Sequence, residues 1–448
     1  MDVPLYWKRE IPALNIGKDL QILREVLKNP SAFLLKLSCM AGDIAAFSAG
    51  PVRLVLVNDP NLITSILLDR ADEFGKMPVL RSLHAFTGEG LLISEGALWA
   101  KHRKLTAPAF HHRRIQHYQH SIAELIDATQ AGWRDGQIID IGPMFKTLTL
   151  QVIGKTLFSV DLNQIAAGFA DDIELALNFV NRLAGQAAFP LARWFMHGRR
   201  GFKQAMRRID ELIYALIRQR RAEGQDHGDL LSMLMLSETT DGQRLSDREV
   251  RDEAITMFVA GHETIATVLT WLYYLLADSP ETQTRLEGEA RLALQGRPPA
   301  FDDLAQLPLA MQVYKEAMRL YPGGFTIGRQ AKRDVDIGGY VIPAQSWVMV
   351  SPYSVHRNPT IFAEPEAFVP DRFLPEREKA LPRGAYLPFG LGPRVCIGNA
   401  FALMEGQTIV AHLAQRVRLH RTSDTPVGIA PMIALNPDRP ILMRVERV

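Results

Sequence analysis

Residues 389–398 read Phe389-Gly390-Leu391-Gly392-Pro393-Arg394-Val395-Cys396-Ile397-Gly398, a cysteine set among glycines and followed by an apolar helical run over residues 399–413. The glycines permit tight, partly left-handed backbone, which lets the main chain approach something flat and bulky. Cys396 stands just before the first turn of the helix. Unpaired N–H groups and the helix dipole favour a thiolate there, and Arg394 adds positive charge two residues earlier. A persistent thiolate is a metal ligand. Zinc and iron–sulfur sites gather several cysteines at short spacing, whereas this chain holds two, Cys39 and Cys396, far apart. One thiolate as the axial ligand of a haem iron fits that count. A buried structural cysteine in a glycine-rich turn is the alternative that a lone residue leaves open.

Three further groups carry polar chemistry. Ala260-Gly261-His262-Glu263-Thr264 places an acid and a hydroxyl inside a stretch otherwise suited to burial, where an unpaired acid would be costly. The same residues would be purely structural if Thr264 bonded the carbonyl four residues back and Glu263 met a cation. Trp99 and Arg103, at i and i+4, share a helix face, so an indole N–H and a guanidinium can meet one carboxylate. Glu316 and Arg319, at i and i+3, can pair, with Arg372 downstream in Phe368-Val369-Pro370-Asp371-Arg372-Phe373.

The elements that must position these groups are mainly helical. Ser246 with Glu249 forms a capping box, Leu245 and Val250 a hydrophobic staple, and Ser279-Pro280 ends the run, which predicts a helix of about thirty residues, roughly 45 Å long. Being apolar nearly all round after Ile255, it must be buried. Residues 18–37 read as an amphipathic segment. Residues 43–47 and 52–57 read as a hairpin about Ala49-Gly50-Pro51. Asp59-Pro60 opens a short helix, and residues 74–92 form a looser stretch. Residues 114–225 are almost wholly helical, and a further helix runs from Pro308 to Tyr321. The strands at 335–337, 340–342 and 346–350 are expected to join the early hairpin in one sheet.

Taken together, Phe389, Gly392, Arg394, Cys396 and Gly398 closely resemble the haem-binding loop of the cytochrome P450 family, and the other motifs follow in that family's order. The resemblance implies a mainly α fold with a smaller β region, the cytochrome P450 fold, with a long central helix over a haem. It implies haem b (iron protoporphyrin IX) as cofactor and Cys396 as the metal ligand. Trp99, Arg103, Arg329 and Arg394 would hold the propionates, and Phe389 would lie in the cofactor loop. Glu263 and Thr264 would deliver protons for oxygen activation; Ile265 stands where the family often has a second Thr. Glu316, Arg319 and Arg372 would form a buried network fixing the cysteine loop. The implied activity is monooxygenation, insertion of one atom of O2 into a hydrophobic small molecule by hydroxylation or epoxidation. A peroxide-driven oxidant, an isomerase of the same fold, or a non-catalytic haem sensor or carrier are the alternatives.

Composition bounds the rest. The chain has 448 residues, 47% hydrophobic and 22% charged, and a formal net charge of +2. These figures suit one large domain and give no reason to expect nucleic acid. The resemblance implies a single catalytic domain over residues 1–448, and, as no flavin or iron–sulfur module is read in the sequence, no fused reductase is expected. Electrons would therefore come from a ferredoxin or flavodoxin-type donor with its reductase. Lys101, His102, Lys104, His111, His112, Arg113 and Arg114 form a basic stretch that could dock such a donor or lie as a solvated face. The charged N-terminus and the two distant cysteines suggest a cytoplasmic protein without a transmembrane anchor. Largely apolar stretches at 79–86, 189–195, 255–259, 325–327 and 427–432 are candidate pocket lining for a terpenoid, fatty acyl chain or polyketide, with Arg81, His84 or Arg193 as possible carboxylate ligands. Residues 187–196 read equally as a lid or a surface contact.

Overall fold

Apolar residues at helix spacing dominate the chain, and in the computed structural model it folds as a mainly helical protein, with three small sheets among the described residues. The structure describes residues 10–13, 29–49, 52–162, 168–185, 198–238, 242–430 and 434–448. In chain order the elements used below are α1 (Pro30–Ala41), β1 (Ile44–Ala49), β2 (Val52–Val57), β3 (Phe74–Lys76), α2 (Gly96–Thr106), α3 (His112–Ala131), β4 (Ile138–Asp140), α4 (Ile141–Phe158), α5 (Arg199–Glu223), α6 (Asp247–Ala277), α7 (Pro308–Leu320), β5 (Ile327–Ala331), β6 (Val335–Ile337), β7 (Tyr340–Ile342), β8 (Trp347–Val350), α8 (Asn399–Ala414), β9 (Val417–Arg421) and β10 (Leu442–Arg447). Contacts divide the chain into two compact units, Met1–Pro78 with Lys315–Cys396 and Val427–Arg439, and Val79–Tyr314 with Ile397–Pro426 and Pro440–Val448.

The first unit is built on a five-stranded sheet in the order β1-β2-β8-β5-β3. β1 and β2 pair antiparallel from Ile44↔Val57 to Ala49↔Val52, as the hairpin reading requires; two of the three expected turn residues, Gly50 and Pro51, lie outside the described residues. β8 runs parallel to β2, with Leu54 opposite Trp347, and β5 pairs antiparallel with β8 and β3, so that Arg329 lies opposite Val348 on one side and Lys76 on the other. The expectation for the later strands holds for β8 alone. β6 and β7 form a separate hairpin through Gly338 and Gly339, both at positive φ, and join the unit by packing instead. Val335, Ile337 and Ile342 enter the same apolar cluster as Ile44, Val55, Phe74, Val350 and Leu387. Asp59 caps the next helix, accepting N–H groups of Asn61 and Leu62 at 2.9 Å.

In the second unit α6 is the organising element. Ser246 accepts the Glu249 N–H at 3.3 Å, and its own N–H donates to the Glu249 carboxylate at 2.8 Å, so the capping box forms as its spacing predicts. Leu245 and Val250 are both buried beside it. α6 packs on α4 and α5. Phe258 stacks on Phe158 at 4.2 Å between ring centroids, and Tyr273 on Phe145 at 5.3 Å. Among the described residues it is the one helix long and apolar enough to cross a membrane, yet 78% of its most apolar window is buried, as befits a core helix. A three-stranded sheet in the order β4-β10-β9 closes this unit. It was not anticipated. Its buried Val417, Leu419, Met443 and Val445 alternate with Arg418, His420, Arg444 and Glu446, the two-residue period of a half-buried strand.

Candidate active site

The cysteine loop belongs to the first unit and is drawn tight by its own backbone. Leu387 accepts the Gly390 N–H at 3.1 Å, Gly392 accepts Val395 at 3.0 Å, and Phe389 accepts the Cys396 N–H at 2.9 Å. Gly390 and Gly392 take φ of +74° and +78°. A β-carbon on Gly392 would stand 1.9 Å from the Leu67 carbonyl oxygen, so the loop needs glycine there both for conformation and for space. Gly398 does not share that need, since its φ is −89° and it serves as the cap residue before α8. The Cys396 side chain is exposed at the end of this loop, and Phe389, Leu391, Arg394, Val395, Ile397 and Gly398 around it in sequence are half-buried. Arg329 is half-buried on β5, and its guanidinium donates to the Gly328 carbonyl at 2.9 Å.

Behind the loop lies the anticipated polar network. Arg319 grips Glu316 through two parallel bonds of 2.7 and 2.8 Å, and both residues are fully buried. Arg319 also donates to the carbonyls of His356, Pro365 and Ala367 at 2.9, 2.7 and 2.9 Å. Glu316 further accepts the Val369 N–H at 2.8 Å and Arg372 at 3.3 Å. The charge is thus satisfied at every side, which is the condition for tolerating a buried ion pair. His356 was not singled out in the sequence. It is wholly buried between α7 and the segment leading to Phe389, and burial, then the charges of Arg319 and Arg357, push its pKa down to about 3.

In the second unit Glu263 and Thr264 lie on α6 together with a local break in burial. Every residue from Asp252 to Phe258 is buried, then Val259 is half-buried, Ala260 exposed, and Gly261 and Thr264 half-buried. Ala260 and Thr264, four apart, thus open one face of an otherwise core helix, and the Thr264 hydroxyl donates to the Ala260 carbonyl at 2.6 Å. The helix is anchored to α4 at this level. A β-carbon on Gly261 would lie 2.6 Å from the Ile153 side chain, and Thr149 donates its hydroxyl to the His262 carbonyl at 3.1 Å. Glu263 is buried. Burial, then the nearby Lys146, lowers the neighbouring His262 to about 4, so that residue is neutral near pH 7.

Trp99 and Arg103 are both half-buried on α2, at the spacing that puts them on one face. Between them His102 is wholly buried against α6, its Nδ1 2.6 Å from a Glu253 carboxylate oxygen. The structure therefore removes His102 from the expected basic patch. Lys101 pairs with Glu249 at 2.7 Å and Arg114 with Asp226 at 3.3 Å, which leaves Lys104, His111, His112 and Arg113 as its exposed part. The lining expectation is likewise corrected for residues 255–258. Ile255 and Phe258 are fully buried core, and only Val259 of that stretch is accessible. His84 meets Glu89 at 3.0 Å, and Arg81 is exposed. Residues 187–196 with Arg193, and residues 431–433, lie outside the described residues.

These residues fit a haem. In the first unit an exposed thiol at the mouth of a glycine-pinched loop with half-buried apolar neighbours suits a haem ligand, and half-buried Arg329 and Arg394 suit propionates; in the second, half-buried Trp99 and Arg103 suit propionates, and an accessible hydroxyl sits on an apolar helix. Among the described residues no cluster of three His, Cys, Asp or Glu side chains could hold a metal otherwise.

Comparisons with known proteins bear on the family. The family model for cytochrome P450 matches residues 10–444. The chain is 34% identical over 403 residues to cyclooctat-9-en-7-ol 5-monooxygenase of Streptomyces melanosporofaciens, covering 89% of this chain and 87% of the relative. To pentalenene oxygenase of Streptomyces avermitilis it is 32% identical over 413 residues, covering 91% of each. The crystal structure of the cytochrome P450DA heme domain superposes with a TM-score of 0.89 over 98% of both chains, at 24% identity, and so speaks to the fold. With a family match of this extent and oxygenase relatives along most of its length, the chain belongs to the cytochrome P450 family and is a monooxygenase.

Proposed function

We propose that this protein hydroxylates or epoxidises a hydrophobic, olefinic terpenoid, with Cys396 as the thiolate ligand of haem b and electrons from a separate ferredoxin or flavodoxin-type donor and its reductase. The observation that carries the site assignment is the exposed Cys396 side chain, held by the Phe389–Cys396 hydrogen bond at the end of the glycine loop. The substrate class rests on relatives named for an alkenol and for pentalenene, and on the half-buried apolar residues Phe325, Ile327, Val427 and Ile429. Fatty acyl chains and polyketides are the competing classes.

When bound, the haem supplies the activation of O2 and the oxidation of an unreactive C–H or C=C bond. The rest falls to the chain. Arg103, Arg329 and Arg394 would neutralise the propionates and Trp99 would donate its indole N–H to one, and the pinched loop fixes the backbone from which the Cys396 side chain projects. Each turnover takes up two electrons and two protons, one oxygen atom entering the product and the other leaving as water. Thr264 holds a proton at Oγ1 on the accessible face of α6, and Glu263, buried beside it, relays protons from solvent. Lys104, His111, His112 and Arg113 offer a cationic surface to an acidic donor. Among the described residues the one helix of spanning length and apolarity is mostly buried, and a soluble cytoplasmic enzyme of one catalytic domain is the form proposed.

The test is turnover under 18O2 with donor and reductase, using cyclic olefins beside fatty acids and polyketides, and with peroxide alone as a control. A cyclic olefin oxidised with one labelled oxygen supports the proposal. Turnover with peroxide only would replace it with the peroxide-driven alternative, and preference for a fatty acid would overturn the substrate class.

A further inference from the structure

His356 lies outside every motif that the sequence displays, yet its ring is wholly buried and polar at both nitrogens. Nδ1 faces the Arg319 carbonyl at 3.1 Å, and Nε2 faces the Leu387 N–H at 2.8 Å. A carbonyl can only accept and an amide N–H can only donate, so the two contacts together require a neutral imidazole with its proton on Nδ1. An imidazolium would set N–H against N–H. The His356 carbonyl in turn accepts Arg319 at 2.9 Å, and Tyr386 and Phe362 hold the ring from two sides, at 5.2 and 6.4 Å between centroids. The charged groups beside it are the guanidiniums of Arg319 and Arg357, and both disfavour a second proton.

From Leu387 the bonding continues to the cysteine. The Leu387 carbonyl accepts the Gly390 N–H, and the Phe389 carbonyl accepts the Cys396 N–H. Two bonds tie the segment leading into the loop to α7: the Tyr386 hydroxyl donates to the Lys315 carbonyl at 2.9 Å, and the Leu387 N–H donates to an imidazole that is itself bonded to α7. Of these, the Leu387 bond acts on the backbone, two residues before the Phe389 carbonyl.

We propose that His356 is a positioning residue that couples the Glu316–Arg319 helix to the Cys396 loop, and so sets the place of the thiolate. This rests on Cys396 being the haem ligand. The role differs from that of Glu316 and Arg319, whose loss strands a buried charge. Loss of His356 leaves no charge behind, only the Leu387 amide and the Arg319 carbonyl without their ring partners, so its signature is a misplaced ligand in a folded protein.

The experiment compares His356→Leu, which has neither donor nor acceptor, with His356→Gln, which carries both on one amide. Haem-loaded proteins of matched circular dichroism are reduced under CO, and the share showing the thiolate-type spectrum is read alongside hydrogen exchange at the Leu387 amide. In His356→Leu the ratio of thiolate-type to other forms is expected to fall about fivefold, the size of effect that one lost hydrogen bond exerts on an equilibrium. Leu387 exchange is expected to rise, and His356→Gln to recover most of both. A wild-type spectrum and wild-type Leu387 protection in His356→Leu would overturn the proposal, as would no recovery in His356→Gln. If His356→Leu fails to fold, 15N spectra of histidine-labelled wild-type protein decide. One ring locked with its proton on Nδ1 and not titrating between about pH 5 and 8 supports the link, and a titrating or Nε2–H ring refutes it. If the wild type itself lacks a thiolate-type spectrum, the ligand assignment fails, and ring tautomer and Leu387 protection still judge His356 separately.

Discussion

The Nδ1 atom of His102 lies 2.6 Å from the Glu253 carboxylate, with both side chains wholly shielded from solvent. Its Nε2 is 3.4 Å from Glu249, which also receives Lys101 at 2.7 Å. One imidazole thus fastens α2, the helix of Trp99 and Arg103, to the N-terminal half of α6, the helix of Glu263 and Thr264. Burial alone would depress His102. The hydrogen bond and charge of Glu253, followed by those of Glu249, outweigh it and leave His102 above its ordinary value of 6.5.

A pH dependence follows with a definite sign. Because the folded value is raised, the stabilisation from protonated His102 is lost as pH climbs from about 6.5 through the higher folded value; burial also raises Glu253, so in acid that carboxylate takes up a proton and the pair weakens again. The gap in unfolding midpoint between wild type and His102→Gln is expected to narrow from about pH 6 to pH 9. A gap that widens with pH would mean that His102 is neutral in the fold.

Removing one partner of the Glu316 network should be severe. Glu316→Ala strands Arg319, which is fully buried, together with the Val369 N–H and Arg372, at a cost of ~3–5 kcal/mol. Denaturant unfolding and haem content measure this. Unchanged values in both would show that the network contributes nothing to the fold.

The glycine loop offers a contrast between two neighbours. Gly392→Ala places a methyl group against the Leu67 carbonyl at positive φ and should cost upwards of ~1–3 kcal/mol, with loss of haem. Gly398→Ala meets its nearest atom at 3.6 Å at an ordinary negative φ and should be tolerated. Equal thermal stability and haem binding in the two variants would contradict the geometry.

Much of this was legible locally. The long helix announces itself through Ser246, Glu249 and Ser279-Pro280 at its two ends, and the cysteine loop through residues within ten positions of one another. What stayed hidden depends on distant partners. His102 meets Glu253 151 positions away, and Leu387 meets His356 31 positions away, so sequence charge alone assigned His102 to a basic surface. Residues 255–259 read as lining because they are largely apolar, yet of these only Val259 is accessible. Whether an apolar helix residue faces a pocket or Phe158 is decided by packing, which composition does not encode. β6 and β7 carry good strand residues, but the pairing of a strand is a tertiary choice.

Thr264→Ala tests the proposed proton delivery. It removes the hydroxyl on the accessible face of α6 and leaves the Cys396 loop untouched. Substrate binding and electron consumption should persist, while product formed per electron pair falls by roughly tenfold, ~1.4 kcal/mol between the two outcomes, and hydrogen peroxide is released instead. Peroxide-driven turnover should suffer less. Unchanged coupling across several substrates would return Glu263 and Thr264 to a structural role.

The most direct test of the thiolate assignment is the absorption spectrum of the reduced, CO-bound protein in two cysteine variants. Cys39→Ser is expected to keep the thiolate-type spectrum of the wild type, and Cys396→Ser to lose it while still folding. A thiolate-type spectrum surviving in Cys396→Ser, or vanishing in Cys39→Ser, would contradict the assignment of Cys396 as the ligand.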